Sequence, residues 1–205
     1  TKVGRLLRDD PKLGCLLAGR FVLQSSQVLF ESTFSQYIMV ILQGDSSVRG
    51  RIMGVVGLLG ILANAVLVRS FGNALETPVA LAASMVILAL GHAGWGSSTT
   101  SVQMSMALVP LVLTSASTTT LTKGLISKSC SPDIIGFVMG LSGSLDSSSR
   151  IFFPPLAGYV FETVSPRAVS VVCAAGALLA ALLFFLVGFM SAKTDEVKAA
   201  DKKSR

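Results

Sequence analysis

The sequence predicts an all-α integral membrane protein of six transmembrane helices, arranged as an inverted repeat of two three-helix units. Composition is the first sign: 51% of residues are hydrophobic, mean hydropathy is +0.70 and only 14% are charged, where a soluble domain carries about 25% charge. Segments of roughly 20 apolar residues, enough to cross a bilayer, follow one another with only short polar connections. Two stretches also share one glycine pattern, G-x-x-M-G-x-x-G, at residues 50–57 and 136–143. Each opens the second of three apolar segments, as expected of a three-helix unit that recurs with opposite orientation. Gly50, Gly54, Gly57, Gly136, Gly140 and Gly143 are the residues expected to pack helices, since small residues let membrane helices approach closely.

The six segments fall at 13–42, 51–68, 78–93, 102–126, 134–161 and 169–190. The connections at 43–50, 69–77, 94–101, 127–133 and 162–168 are rich in Gly, Ser, Pro or charge, the residues that interrupt helices. Residues 1–12 then read as a basic cytoplasmic linker, 13–190 as the bundle, and 191–205 as a charged tail expected to be disordered. No stretch remains for a soluble domain.

Orientation follows from Lys and Arg. With both termini on one side, that side receives Lys2, Arg5, Arg8, Lys12, Arg69, Lys123, Lys128, Lys193, Lys198, Lys202, Lys203 and Arg205, whereas the other receives Arg49, Arg51 and Arg167. Positive loops stay inside, so both termini are expected in the cytoplasm. The net charge of +6 therefore reports orientation, and no nucleic-acid partner is expected. Tyr37, Trp95 and Tyr159 fall near the outer ends, where an aromatic belt would lie.

Chemistry is sought where charge enters the hydrocarbon. In the first helix Arg20, Gln24, Gln27, Glu31 and Ser35 recur at i, i+4, i+7, i+11 and i+15, a single polar stripe at about 100° per residue. A central charge costs roughly 2.5–3.5 kcal/mol on insertion scales, so the stripe must line a water-filled cavity or meet partners. For Arg20 the alternative is snorkelling to the cytoplasmic surface. The fifth helix carries Asp146 and Arg150, spaced i, i+4, so they can neutralise each other or offer a switchable pair to substrate and proton. Pro154 and Pro155 follow and are expected to kink or break that helix. The fourth helix crowds Thr114, Ser115, Ser117, Thr118, Thr119, Thr120 and Thr122 toward its cytoplasmic end; most are expected to bond back to their own helix. Thr118 and Ser142 are candidate cavity contacts. The third and sixth helices carry no charge and read as the lipid-facing pair.

Cys15, Cys130 and Cys173 stand without ligand spacing, so no disulfide, metal or cofactor is expected. Residues 140–143 match the G-x-S-G of intramembrane serine proteases, but that chemistry needs a histidine base. The only histidine, His92, is upstream in the third helix rather than in a later one, so no enzyme is expected. Beside Gly94 and Trp95 it reads as an interfacial residue, with proton sensing as the lesser alternative.

The order of features resembles the C-terminal half of a major facilitator superfamily transporter, nearest the tetracycline-efflux and organic-cation-transporter-like branch. The features are a basic linker, an acidic first helix, a Gly-rich second helix ending in Val68, Arg69, Ser70, Phe71 and Gly72, and a fifth helix ending R-I-x-x-P-x-x-A-G from Arg150 to Gly158. That ending is similar to the family's R-x-x-G-P-x-x-x-G, with Phe153 or Pro154 where Gly is common. The loop after the second helix resembles a decayed G-x-x-x-D-R-x-G-R, in which only Gly72 matches. The resemblance implies half of a twelve-helix fold, with helices one, two, four and five facing a central cavity. It also implies a further six-helix half as partner, ahead of Thr1. The expected function is secondary active transport by alternating access: proton-coupled efflux, as an antiporter, of small organic or cationic compounds. Glu31 is the expected proton or cation site, Asp146 with Arg150 the relay or gate, and Arg20, Gln24, Gln27, Thr118 and Ser142 further translocation residues. The alternative is a non-transporting membrane fragment or assembly subunit that pairs through its Gly-rich faces.

Overall fold

The computed structural model describes residues 11–41, 45–69 and 77–204; most of the basic linker and residues 70–72 of the decayed motif lie outside them. Among the described residues the chain is all helix, with no strand. The elements are α1 (Pro11–Ile41), α2 (Ser46–Leu62) running into a π-helical segment (Ala63–Val68), α3 (Pro78–Ser97), α4 (Ser101–Lys128), α5 (Ile135–Thr163) and α6 (Pro166–Ser204). They follow the six predicted segments closely.

Short polar side chains start the helices. The Asp45 carboxylate accepts from the Val48 and Ser47 N–H groups ahead of α2, and these donors, Val48 foremost, hold its pKa below the ordinary 3.8. Thr77 caps α3 by accepting from the Ala80 N–H, and Thr100 caps α4 by accepting from Gln103. Ser165 accepts from the Ala168 N–H at the start of α6. Pro78 and Pro166 occupy first-turn positions, where a missing donor breaks no intrahelical bond.

Five helices are long and apolar enough to cross a membrane: α1, α2, α3, α4 and α6. This is consistent with a multi-pass membrane protein. The expectation that all six segments are apolar enough to span is corrected at α5, whose 29 residues include the serines and charges at 142–150 and which is not among the five. Nor do Pro154 and Pro155 break α5, which is assigned as one helix through both. The charged run after Met190 continues α6 as helix to Ser204; its Ala, Lys and Glu are all strong helix formers.

α1 is the centre of the bundle: 72% of its apolar window is buried inside the protein, against 11% for α2. It packs mainly on α6 and α5, and reaches α4 through polar side chains; α3 packs on α6 and α4, and α2 with its π segment on α4. Leu16, Leu23, Phe34, Leu81, Met85, Leu88, Met104 and Phe184 form the fully enclosed core.

Two glycines make close approach possible. A Cβ at Gly91 would stand 2.8 Å from the Leu111 Cβ, and one at Gly96 would stand 1.7 Å from the Ser170 Oγ, so these positions admit α3 to α4 and to α6. The six glycines expected to pack helices do otherwise. A Cβ at Gly50, Gly54, Gly57, Gly136, Gly140 or Gly143 would meet nothing within 4 Å. All six are exposed on α2 and α5. The open face of α6 exposes Val171, Leu178, Leu182, Phe185 and Phe189, and beside the glycines Leu58 and Ile61 of α2 and Ile151 and Phe152 of α5 are exposed as well.

The aromatic belt needs correction too. Tyr159 is exposed, but Tyr37 and Trp95 are fully buried, packed against each other with ring centroids 4.6 Å apart. Tyr37 donates its hydroxyl to the Gly96 carbonyl at 2.8 Å, which binds α1 to α3.

Candidate functional site

The polar stripe of α1 is buried at Arg20, Gln24 and Gln27 and open at Glu31, and meets chiefly α4 and α5. Toward its N-terminal end Arg20 is 1% exposed; its Nη2 donates to Asp146 Oδ2 on α5 at 2.7 Å and its Nη1 to the Thr119 carbonyl on α4 at 3.1 Å. Snorkelling does not occur, because Arg20 finds its counter-ion inside. Lys123 of α4 approaches the same Asp146 oxygen at 3.7 Å. One turn further, Ser25 and Ser149 hydroxyls lie 3.3 Å apart, and Ser26 donates to the Cys173 carbonyl of α6 at 2.6 Å. Gln27 is held at both ends by α4, with Nε2 donating to the Ser115 carbonyl and Oε1 accepting from the Thr119 hydroxyl.

At the other end of the stripe Glu31 and Arg150 form a second pair, with Arg150 Nη1 3.6 Å from Glu31 Oε2. The intrahelical Asp146–Arg150 pairing allowed by their spacing is therefore replaced by a crossed arrangement, Asp146 with Arg20 and Arg150 with Glu31. The two pairs differ in kind. Arg20 and Asp146 side chains are 1% and 16% exposed, whereas Arg150 and Glu31 are 61% and 57% exposed. An enclosed pair resists separation because either partner alone would be an uncompensated charge; an open pair is worth under about 1 kcal/mol and parts easily.

The open pair stands in a cavity of about 360 Å³, within the range of small-molecule sites. Gln24, Gln27, Phe30 and Glu31 of α1 line it, with Val56 of α2, Asn64 of the π segment, His92 of α3, Ser115 and Thr119 of α4, and Arg150 of α5. Asn64 accepts from the Thr120 hydroxyl at 3.1 Å. A second groove of about 440 Å³ between α2 and α4 offers Arg51 as its one charged lining residue, so the facing acid and base lie in the smaller cavity.

Of the predicted site residues, Glu31, Arg150, Gln24 and Gln27 line this cavity. Arg20 and Asp146 form the closed pair outside its lining. Thr118 is buried and donates to the Thr114 and Ser115 carbonyls of its own helix, so it does not face the cavity. Ser142 is buried with its hydroxyl unpartnered, also outside the lining. The expected back-bonding of the α4 hydroxyls is seen at Thr114, Ser115, Ser117 and Thr122; Thr119 departs from it by serving Gln27.

Sequence reading missed His92, Phe30 and Asn64. His92 is 1% exposed instead of interfacial, and its Nδ1 accepts from Trp95 Nε1 at 3.2 Å. His92 Nε2 and the Ser142 hydroxyl are both without partners, so they are not hydrogen-bonded to each other. No family model and no curated protein matches the sequence, and the site is read from its geometry.

Proposed function

We propose that the chain is a six-helix half of a major facilitator superfamily transporter, which exports small organic cations by alternating access in exchange for protons. The observation that carries this reading is the open Glu31–Arg150 pair in a cavity lined chiefly by α1 and α4. A carboxylate with an easily displaced cationic neighbour can exchange that neighbour for a proton or for a substrate cation. The closed Arg20–Asp146 pair, with Lys123 as a second cation, is the structural tie from which such a half could rock.

The helix pairing supports a three-plus-three repeat. Exchanging α1 with α4, α2 with α5 and α3 with α6 turns α1·α6 packing into α4·α3, turns α1·α5 into α4·α2, and leaves α3·α6 unchanged. All five pairings are extensive. The repeated glycine motif lies open at the corresponding places on α2 and α5, a smooth surface for the second six-helix half. The same open faces would serve an assembly subunit that does not transport. The cavity charges favour the transporter.

The test is flux in proteoliposomes of the protein assembled with its second half. Glu31→Gln is expected to abolish substrate movement driven by a pH gradient while membrane abundance stays near wild type. Unchanged pH-driven flux would reduce Glu31 to a surface residue of the cavity.

A further inference from the structure

One group in the cavity is unused by the charge network. His92 enters from α3, and its two ring nitrogens are not equivalent. Trp95 Nε1 lies 3.2 Å from Nδ1. An indole N–H can only donate, so Nδ1 is the acceptor and the neutral ring carries its proton on Nε2. The ring is held on several sides: Phe30 packs edge-on against it at 5.5 Å and against Trp95 at 5.5 Å, while Tyr37 fixes Trp95 from the far side at 4.6 Å. Nε2 is buried, has no partner among the described residues, and belongs to a residue that lines the cavity. A buried N–H without an acceptor is destabilising, and native proteins seldom keep one.

We propose that His92 is a ligand-binding residue, whose Nε2–H, fixed by Trp95, donates a hydrogen bond to a neutral acceptor such as a carbonyl or ether oxygen on the transported compound. This rests on the cavity being a substrate site, and it narrows the substrate class to organic cations that also carry an acceptor. The cationic group meets Glu31, the acceptor meets His92, and the apolar body lies on Phe30 between them. A compound with the cation alone leaves the imidazole N–H unsatisfied and binds more weakly.

The chain has one histidine and one tryptophan, which makes the test clean. The 205-residue chain, isotope-labelled at its histidine nitrogens and held in lipid nanodiscs, is titrated with β-dimethylaminopropiophenone and with the analogue in which a methylene replaces the carbonyl. Expected without ligand is the Nε2-protonated tautomer, lost in Trp95→Phe. The ketone should bind about five- to tenfold more tightly than the analogue, the value of one hydrogen bond, and should move the Nε2 resonance. His92→Phe should bind both amines alike, and His92→Gln, which keeps an N–H donor, should retain part of the preference. An Nδ1-protonated ring, or an Nε2 resonance indifferent to the ketone because it serves only an ordered water, overturns the proposal. If both amines bind the wild type equally and both are lost in Glu31→Gln, the His92 assignment falls and the substrate site stands. If neither binds, the organic-cation reading of the cavity falls and takes the proposal with it.

Discussion

Asp146 Oδ2 is approached by two cations, Arg20 at 2.7 Å and Lys123 at 3.7 Å, and the nearer one is enclosed. Removing the carboxylate leaves Arg20 buried without a counter-ion, which costs about 3–5 kcal/mol by analogy with buried pairs in soluble proteins. Asp146→Asn should lower the melting stability of the chain in detergent by that amount. Adding Arg20→Gln should restore most of it, whereas adding Arg150→Gln should not; rescue by the Arg150 change would return the pairing to α5 alone. Arg150→Gln by itself should alter stability by under about 1 kcal/mol, because its pair is exposed. Asp45 gives a pH prediction outside the membrane. Its folded pKa lies below the ordinary 3.8, so its capping contribution is present above that value and is lost as pH falls through the folded pKa. Amide exchange at Ser47 and Val48 should speed up on acidification in the wild type and stay flat in Asp45→Asn, whose side chain caps without titrating.

Among the helices, glycines fall into two sets with opposite expectations. Gly91→Ala forces a methyl onto Leu111 and should destabilise the α3–α4 contact by about 1–3 kcal/mol. Gly54→Ala and Gly140→Ala enter open space and should leave stability unchanged or raise it by up to about 1 kcal/mol through helix propensity. Melting curves of the three variants separate these outcomes; equal losses would mean that the α2 and α5 faces pack within the chain. The helices themselves were legible because hydrophobic length reports the thickness of the solvent, and the α1 stripe was legible because a helical period puts Arg20 and Glu31 on one face. Their partners were not. A spacing of i, i+4 offers Asp146 only Arg150, while its true partner lies 126 residues away and is chosen by how α1 packs on α5. His92 and Trp95 were hidden for the converse reason: nearness to a loop suggested the membrane surface, whereas α3 packs on α6 and α4 and the Phe30, Phe34 and Tyr37 rings of α1 cover them. The π-helical segment that brings Asn64 to the cavity has no signature in its sequence, Ala63–Val68.

For the whole molecule, the orientation drawn from Lys and Arg can be tested with impermeant thiol reagents. With the three native cysteines replaced by alanine, Thr99→Cys in the exposed α3–α4 connection should label from outside intact cells. Ser129→Cys, exposed at the end of α4, should label only after the membrane is opened; the reverse result would invert the protein. On the proposed function the outward surfaces differ in purpose, the face of α6 meeting lipid and the glycine faces of α2 and α5 meeting a second protein body. Spin labels at Leu182, Gly54 and Gly140 of the protein in its native membrane compare these surfaces directly, through relaxation by lipid-soluble oxygen and by a water-soluble nickel chelate. Leu182 is expected to be reached by oxygen alone. Gly54 and Gly140 are expected to be shielded from oxygen and to gain access to the chelate when the pH gradient is reversed. Oxygen access at Gly54 and Gly140 equal to that at Leu182 would contradict the claim, since those faces would then be bathed in lipid and no second half would rock against them.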